Sequence, residues 1–263
     1  MLKIDSSKLT INANKAYCDG ILFTGIAFTC DRVQVLFAKE YLNGENIGEY
    51  KGFLSESEFS DIYVREALDE SDEEYFSGPI LFNDDKFTGI AYGFEKSYCT
   101  SEILVIDSTI VEEITFHYNG IIESYERASN DSGLYQYYEF DKNGNVLSFS
   151  LKMKSDFYWS CEFEDGCIRS FECKGSWQCF ANILDEKIKF PKVVDLDKIL
   201  NYKFYPRSYI SGDGIEISWI NTFIENRCFS KVNYLCIHDV NLSNDCIIKK
   251  IQDCNPRISI DID

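Results

Sequence analysis

The chain has 263 residues, 45% of them hydrophobic and 15% aromatic, with only four prolines. That composition excludes a disordered chain and gives one elongated domain or two small ones, burying roughly 70–75% of the unfolded surface. Its formal net charge of −18 repels nucleic acid and anionic membranes and favours a basic partner.

Read from the N-terminus, the first seven residues contain no apolar core of signal-peptide length. No later stretch approaches the ~18 apolar residues of a membrane span, so a cytoplasmic protein is expected. Residues 1–54 read as strands around Phe23-Thr24-Gly25-Ile26-Ala27. That pentapeptide returns unchanged as Phe87-Thr88-Gly89-Ile90-Ala91, each copy closed by an aromatic, Phe28 or Tyr92. An exact internal repeat points to a repeat architecture, and repeats build partner surfaces more often than active sites. Between the copies, Ser55 and Glu58 form a capping box for a helix bearing Phe59, Ile62, Tyr63 and Glu66. Ile62 and Val64 equally suit a strand.

Residues 76–180 read as a β-meander. Asn119-Gly120, Asn143-Gly144 and Asp165-Gly166, like Asn43-Gly44 before them, are hairpin signals, because a type I′ turn needs positive φ at both central residues. The last three recur every 22 to 24 residues, which implies one hairpin per unit in an extended sheet. Here the chain resembles a known group. Phe-Thr-Gly-Ile-Ala-aromatic, then Tyr41-Leu42-Asn43-Gly44, Gly48 and Lys51, is similar to the MORN-type repeat of the bacterial YwqK-like antitoxin family, over roughly residues 17–54 and 80–175. The second copy departs from that pattern: no Gly follows Asn119-Gly120 at the equivalent place, and the intervening loop is longer. The resemblance implies a hairpin-repeat fold and a role as immunity partner of a secreted toxin or as a scaffold.

Residues 181–206, with Asp185-Glu186-Lys187 and Pro191, read as a connecting segment, and 207–263 as a small α/β end. Val232, Leu235, Ile237 and Leu242 sit at positions 1, 4, 6 and 11 of a leucine-rich repeat. Ser243-Asn244-Asp245 caps a helix through Cys246, Ile247, Ile248 and Ile251. Ile258-Ser259-Ile260-Asp261-Ile262 and Ile215-Glu216-Ile217 supply neighbouring strands, at the 20–23-residue spacing of such repeats. The expected fold is therefore mainly β: a MORN-like hairpin meander over 1–180 joined to a leucine-rich-repeat-like α/β cap over 207–263.

Chemistry-bearing motifs are few. Eleven cysteines, an odd number in a chain without an export signal, read as reduced thiols. Cys161, Cys167, Cys173 and Cys179 recur every six residues, but zinc knuckles use ligands two to four apart, and an even spacing keeps a strand residue on one face as a small hydrophobe. His117 and His238 lie in apolar strand patterns and read as structural. Glu112-Glu113 and Asp84-Asp85 are pairs that chance supplies among 44 acidic residues, and no nucleophile elbow, P-loop, dinucleotide fingerprint, metalloprotease helix or EF-hand loop is present. No catalytic residue, metal or cofactor is assigned.

Charge gives the remaining signal. Residues 1–150 hold 27 acidic and 11 basic side chains, and residues 151–263 hold 17 and 15. The densest run is Asp69-Glu70-Ser71-Asp72-Glu73-Glu74, leading into Tyr75-Phe76. We expect a non-enzymatic protein-binding protein, foremost an immunity protein that neutralises a cognate basic toxin such as a nuclease. Asp69, Glu70, Asp72, Glu73 and Glu74 would steer encounter, with Tyr75 and Phe76 as anchors. The alternative is a repeat scaffold that inhibits nothing.

Overall fold

A computed structural model describes residues 1–52, 54, 62–65, 68–70, 79–129, 134–152, 158–174, 203–211, 217–238 and 245–262. The described chain is mainly β and forms two compact units. The first holds residues 1–129 with 140–144, the second 130–139 with 145–263.

In the first unit the exact pentapeptide repeat extends to a whole backbone. The first copy comprises β1 (Leu2–Asp5), β2 (Leu9–Asn12), β3 (Lys15–Cys18), β4 (Ile21–Leu22), β5 (Gly25–Cys30), β6 (Val35–Leu42) and β7 (Glu45–Glu49). The second comprises β8 (Ile62–Val64), β9 (Asp69–Glu70), β10 (Ile80–Phe82), β11 (Asp85–Lys86), β12 (Gly89–Glu95), β13 (Tyr98–Ile106) and β14 (Thr109–Phe116), followed by β15 (Ile122–Ser129). Every pairing of one copy recurs in the other. The strands β5 and β6 align Gly25 with Tyr41 and shift register after Thr29, and β12 and β13 align Gly89 with Val105 and shift after Gly93. Parallel β1 on β5 matches parallel β8 on β12.

The pentapeptide residues have the same tasks in both copies. Phe23 and Phe87, 2% and 4% exposed, fill equivalent cores beneath the small sheets β2–β3–β4 and β9–β10–β11. Burying each ring contributes roughly 2–3 kcal/mol. Thr24 Oγ1 accepts from the Asn43 N–H and Thr88 Oγ1 from the Asp107 N–H, both at 2.9 Å, tying the strand to the facing hairpin turn. Gly25 admits the Leu2 carbonyl and the Phe23 ring where a Cβ would collide with both. Ala27 and Ala91 face these cores.

The copies also exchange contacts reciprocally. Ile4 of β1 pairs with Tyr98 of the second copy, and Tyr63 of β8 pairs with Gln34 of the first. The Asp5 N–H bonds the Ser97 carbonyl and the Val64 N–H the Val33 carbonyl, both at 2.8 Å. The closing aromatics Phe28 and Tyr92 meet each other, centroids 4.9 Å apart. Equivalent residues touching one another mark a local two-fold relation between the copies, as in an isologous dimer.

The hairpin turns divide into two kinds. Asn43-Gly44 and Asp165-Gly166 have positive φ at both residues, as a type I′ turn requires. Asn119 and Asn143 do not, and only the following glycines are left-handed. Gly120 and Gly144 donate to the carbonyls of His117 and Asp141, so these are the longer hairpins built on a type I turn closed by a left-handed glycine. Asn83-Asp84 form the β10–β11 turn, and Asp85 opens β11.

The second unit contains β16 (Leu134–Phe140) up to Glu139, β17 (Val146–Lys152), β18 (Tyr158–Glu164), β19 (Cys167–Lys174), β20 (Phe204–Ser211), α1 (Ile217–Glu225), β21 (Tyr234–His238), α2 (Asp245–Cys254) and β22 (Ser259–Ile262). Antiparallel β17, β18 and β19 are followed by parallel β20, β21 and β22. An aromatic series unites sheet and helix: Tyr138, Phe149, Trp159, Phe171 and Phe223 meet in succession at 4.2–6.4 Å. The mainly β meander with a small α/β end is thus present.

Two local expectations require correction. Of the strand expected at Ile215-Glu216-Ile217, Ile215 and Glu216 lie outside the described residues, and Ile217 opens α1, which buries Ile220 and Phe223 at helical spacing; the strand beside β21 is β20, starting at Phe204. The even cysteine spacing does not place all members on one face. Cys161 and Cys173 are buried, whereas a register shift in the β18–β19 pair leaves Cys167 half-buried. Cys179 lies outside the described residues.

Candidate protein-binding surface

Asp69 and Glu70 are β9, an edge strand of a small sheet, with Ile80 opposite Glu70. In the first copy Ile11 stands opposite Ala16. Four residues separate that pair in sequence, against nine between Glu70 and Ile80, so the second copy is five longer at this one connection. Asp72, Glu73, Glu74, Tyr75 and Phe76 fall within the longer link and lie outside the described residues. The acidic run therefore occupies the place where the repeat departs from its own pattern.

A buried polar cluster joins the copies. Lys3 and Glu102 are 3% and 0% exposed. Lys3 Nζ donates to Tyr50 Oη at 2.6 Å, and Glu102 Oε1 accepts from the Leu54 N–H at 2.8 Å. Gly52 allows this approach, since a Cβ there would overlap the Glu102 carboxylate and the Tyr92 hydroxyl. Burial holds the Lys3 ammonium below its usual range, partly offset by the attraction of Glu102. It also pushes the Cys99 thiol up to about 12 and raises the Tyr50 and Tyr92 phenols further. By the register equivalence, Lys3, Tyr50 and Glu102 correspond to Ile62, Ile114 and Ala38. With Lys3 and Glu102 closed to solvent, the cluster serves packing between the copies rather than ligand binding.

The surfaces of the two copies differ in kind. In the first, Ile11, Ile21, Leu22, Phe37 and Ile47 are exposed. Their counterparts in the second are Glu70, Asp85 and Lys86 for the first three, and buried Ser101 and half-buried Val111 for Phe37 and Ile47, while Ile106, the counterpart of Leu42, is likewise exposed. Leu42, also exposed, ends β6 beside the Asn43-Gly44 turn, against which Leu22 packs. Among the described residues no strand pairs with the outer side of β7, whereas the same side of β14 is taken by β15. There Arg127 Nε meets Glu112 Oε1 at 3.1 Å, and Tyr125 is buried. The open edge and its apolar neighbours are the feature that sequence inspection missed. Its signal was available in the comparison of the two copies position by position.

The histidines occupy structural settings. His117 bonds the Phe140 carbonyl at 3.0 Å through Nε2 and lies 3.3 Å from Glu123 through Nδ1. His238 Nε2 meets Cys236 Sγ at 3.1 Å on the face of β21 that also carries Tyr234. The Tyr234 hydroxyl bonds Asp261 at 2.9 Å, which pushes its phenol up to about 12. Glu112 and Glu113 are engaged with Arg127 and Arg65. Asp84 and Asp85 belong to the β10–β11 hairpin. Among the described cysteines, Cys99, Cys161, Cys173, Cys228 and Cys236 are buried.

No family model and no curated protein matches the chain. Among solved structures, similarity is found to a chain of the GtfA/B complex bound to UDP and GlcNAc, at 13% identity and a TM-score of 0.26, covering 73% of this chain and 45% of that one. A chain of accessory secretory protein 1, 2 and 3 in Streptococcus pneumoniae gives 12% and 0.20, covering 74% and 41%. A chain of the glycosylation-associated Gap123 complex from Streptococcus agalactiae gives 9% and 0.22, covering 75% and 40%. The chain spans less than half the length of these neighbours, and TM-scores this low do not identify a shared fold.

Proposed function

We propose that the protein is a non-enzymatic binding protein whose acidic N-terminal half captures a basic protein, and that its role is to neutralise a cognate bacterial toxin such as a nuclease with a cationic cleft. The observation that carries this reading is the charge asymmetry: 27 acidic against 11 basic side chains in residues 1–150, against 17 and 15 in the remainder. A field of one sign accelerates encounter with an opposite partner, while apolar groups supply affinity at short range. The first copy of the repeat offers both, with Leu42 and Ile47 exposed beside Glu45 and Glu49.

The test is capture of the product of the adjacent reading frame, followed by association kinetics across a salt series and an activity assay of the captured protein. Association should slow as salt shortens the field to about 8–10 Å at physiological ionic strength. Changing Asp69, Glu70, Asp72, Glu73 and Glu74 to Asn or Gln should slow association further. Capture without loss of the partner's activity leaves the scaffold role. Association insensitive both to salt and to the five substitutions overturns electrostatic docking.

A further inference from the structure

The two copies share a backbone, but one outer edge is filled and the other, among the described residues, carries no further strand. We infer that the open side of β7 is a strand-addition site, taking an extended basic segment of the partner in the place that β15 fills in the second copy. This rests on the reading of the partner as a basic protein and adds where and how it is held.

The equivalence is residue by residue. Glu40 pairs with Gly48 and Lys39 with Glu49, as Leu104 pairs with Glu112 and Ile103 with Glu113. Onto that second edge β15 adds antiparallel, with Arg127 opposite Glu112, Glu126 opposite Glu113 and Tyr125 opposite Ile114. Gly48 and Glu49 of β7 are the counterparts of Glu112 and Glu113, so the register of an occupant at these two positions is displayed inside the same molecule. On the first edge the Tyr50 N–H bonds the Ala38 carbonyl at 2.9 Å. Strand groups alternate in direction, so the N–H and carbonyl of Glu49 point to the open side. A partner strand gains backbone hydrogen bonds at Glu49, with exposed Ile47 two residues before it on the same strand.

Charge selects the occupant. Glu45 and Glu49 are both exposed on a five-residue strand. A second copy of this chain, pairing antiparallel about Ile47, would set Glu45 against Glu49 twice, and like charges directly opposite are destabilising. A segment with Lys or Arg opposite Glu49 and an apolar or aromatic residue next to it has no such conflict.

The probe is a labelled peptide of the β15 sequence, residues 122–129, carrying Glu123→Lys and Glu126→Lys, titrated onto the full chain by fluorescence anisotropy with amide hydrogen exchange in parallel. Saturable binding should slow exchange of the Glu49 amide. Glu49→Pro removes the outward N–H and should weaken binding by about tenfold or more, equivalent to one net hydrogen bond. Its melting temperature should stay close to that of the parent, because proline is tolerated on an edge whose N–H faces solvent. Glu49→Gln keeps the backbone and should weaken binding only a few-fold, with less salt dependence. Glu113→Pro, the same change on the filled edge, should destabilise the fold and confirms the direction of the N–H. No saturable binding, binding unaffected by Glu49→Pro, or protection elsewhere overturns the inference. So does concentration-dependent dimerisation of the chain alone with β7 protected. If Glu49→Pro still captures the adjacent-gene product at full affinity, strand addition fails while the binding function stands.

Discussion

The two copies of the repeat in the first unit follow one backbone and carry different side chains. Strand pairings, register shifts and threonine-capped turns coincide, yet Lys3, Tyr50 and Glu102 stand where the other copy has Ile62, Ile114 and Ala38. Exposed Ile21 and Phe37 stand where it has Asp85 and Ser101. The shared features are those the backbone requires. The differing ones follow from what each copy faces: each other at the centre, β15 at one outer edge, and no described strand at the other. A repeat thus supplies its own control, because a charge whose counterpart is apolar is not needed to build the strand that bears it.

The two buried charges Lys3 and Glu102 offer the sharpest break in the comparison. Glu102→Gln preserves an acceptor for the Leu54 N–H but leaves the Lys3 ammonium, 3% exposed, without that carboxylate. Removing one partner of a buried pair costs about 3–5 kcal/mol. Adding Lys3→Met removes the second charge and should return stability to within about 1 kcal/mol of the parent, since apolar replacement of a whole buried pair is often neutral. Chemical denaturation of both singles and the double gives the coupling. If the two losses simply add, Lys3 and Glu102 do not act as a pair.

How much of this was legible beforehand follows from particular residues. The identical pentapeptide revealed the repeat because all five residues have fixed tasks, from the Phe23 and Phe87 core rings to the alanines facing them. The rest of the repeat was hidden by its side chains. It was hidden also by the five extra residues before Ile80, which change the offset between copies from 59, as for Ile4 and Tyr63, to 64, as for Phe23 and Phe87. The acidic run was visible as charge but not as the content of that extra length. Helix α2 was readable from its apolar spacing. Strand β20 was not, because a buried Ser208 bonding the Ile168 carbonyl and Pro206 within a register shift interrupt the alternation that marks a strand. Ile217, expected to close a strand, opens a helix, because a three-residue alternation is too short to mark a strand.

Alkaline pH separates the aromatic pair at the centre. Tyr92 has its folded pKa raised by burial, whereas its counterpart and neighbour Phe28 has no proton to lose. A raised folded pKa gives stability that is complete below the unfolded value, 10.0 for tyrosine, and is lost as pH rises above it. Tyr50 acts in the same direction above 10.0 and Cys99 between 9.0 and about 12. The lowered Lys3 acts oppositely, its penalty easing as pH rises toward 10.5. The parent should therefore lose stability above pH ~10. Tyr92→Phe should reduce the slope by about 1.4 kcal/mol per pH unit over pH 10–12. Denaturant melts at stepped pH measure this, and an unchanged slope would mean that Tyr92 ionises within the folded protein.

The smallest effects test whether the shared half of the comparison is truly shared. Thr24 and Thr88 each accept from a turn N–H nineteen positions on, at the same distance of 2.9 Å. Thr→Val keeps shape and β-branching while removing the acceptor. Asn43 and Asp107 are exposed, so water replaces part of what is lost, and each change should cost about 1 kcal/mol or less. The two hydroxyls share no bonding partner, so the double variant should show the sum within a few tenths of a kcal/mol. The informative quantity is the difference between the singles. Equal losses mean that both turns are held by the same bond in equivalent surroundings, as the backbone register implies. A markedly larger loss at Thr88 would show that the second copy, whose turn follows the covered core strand β13, depends on its cap while the open-edged copy does not. Equivalence would then extend to geometry but not to energy.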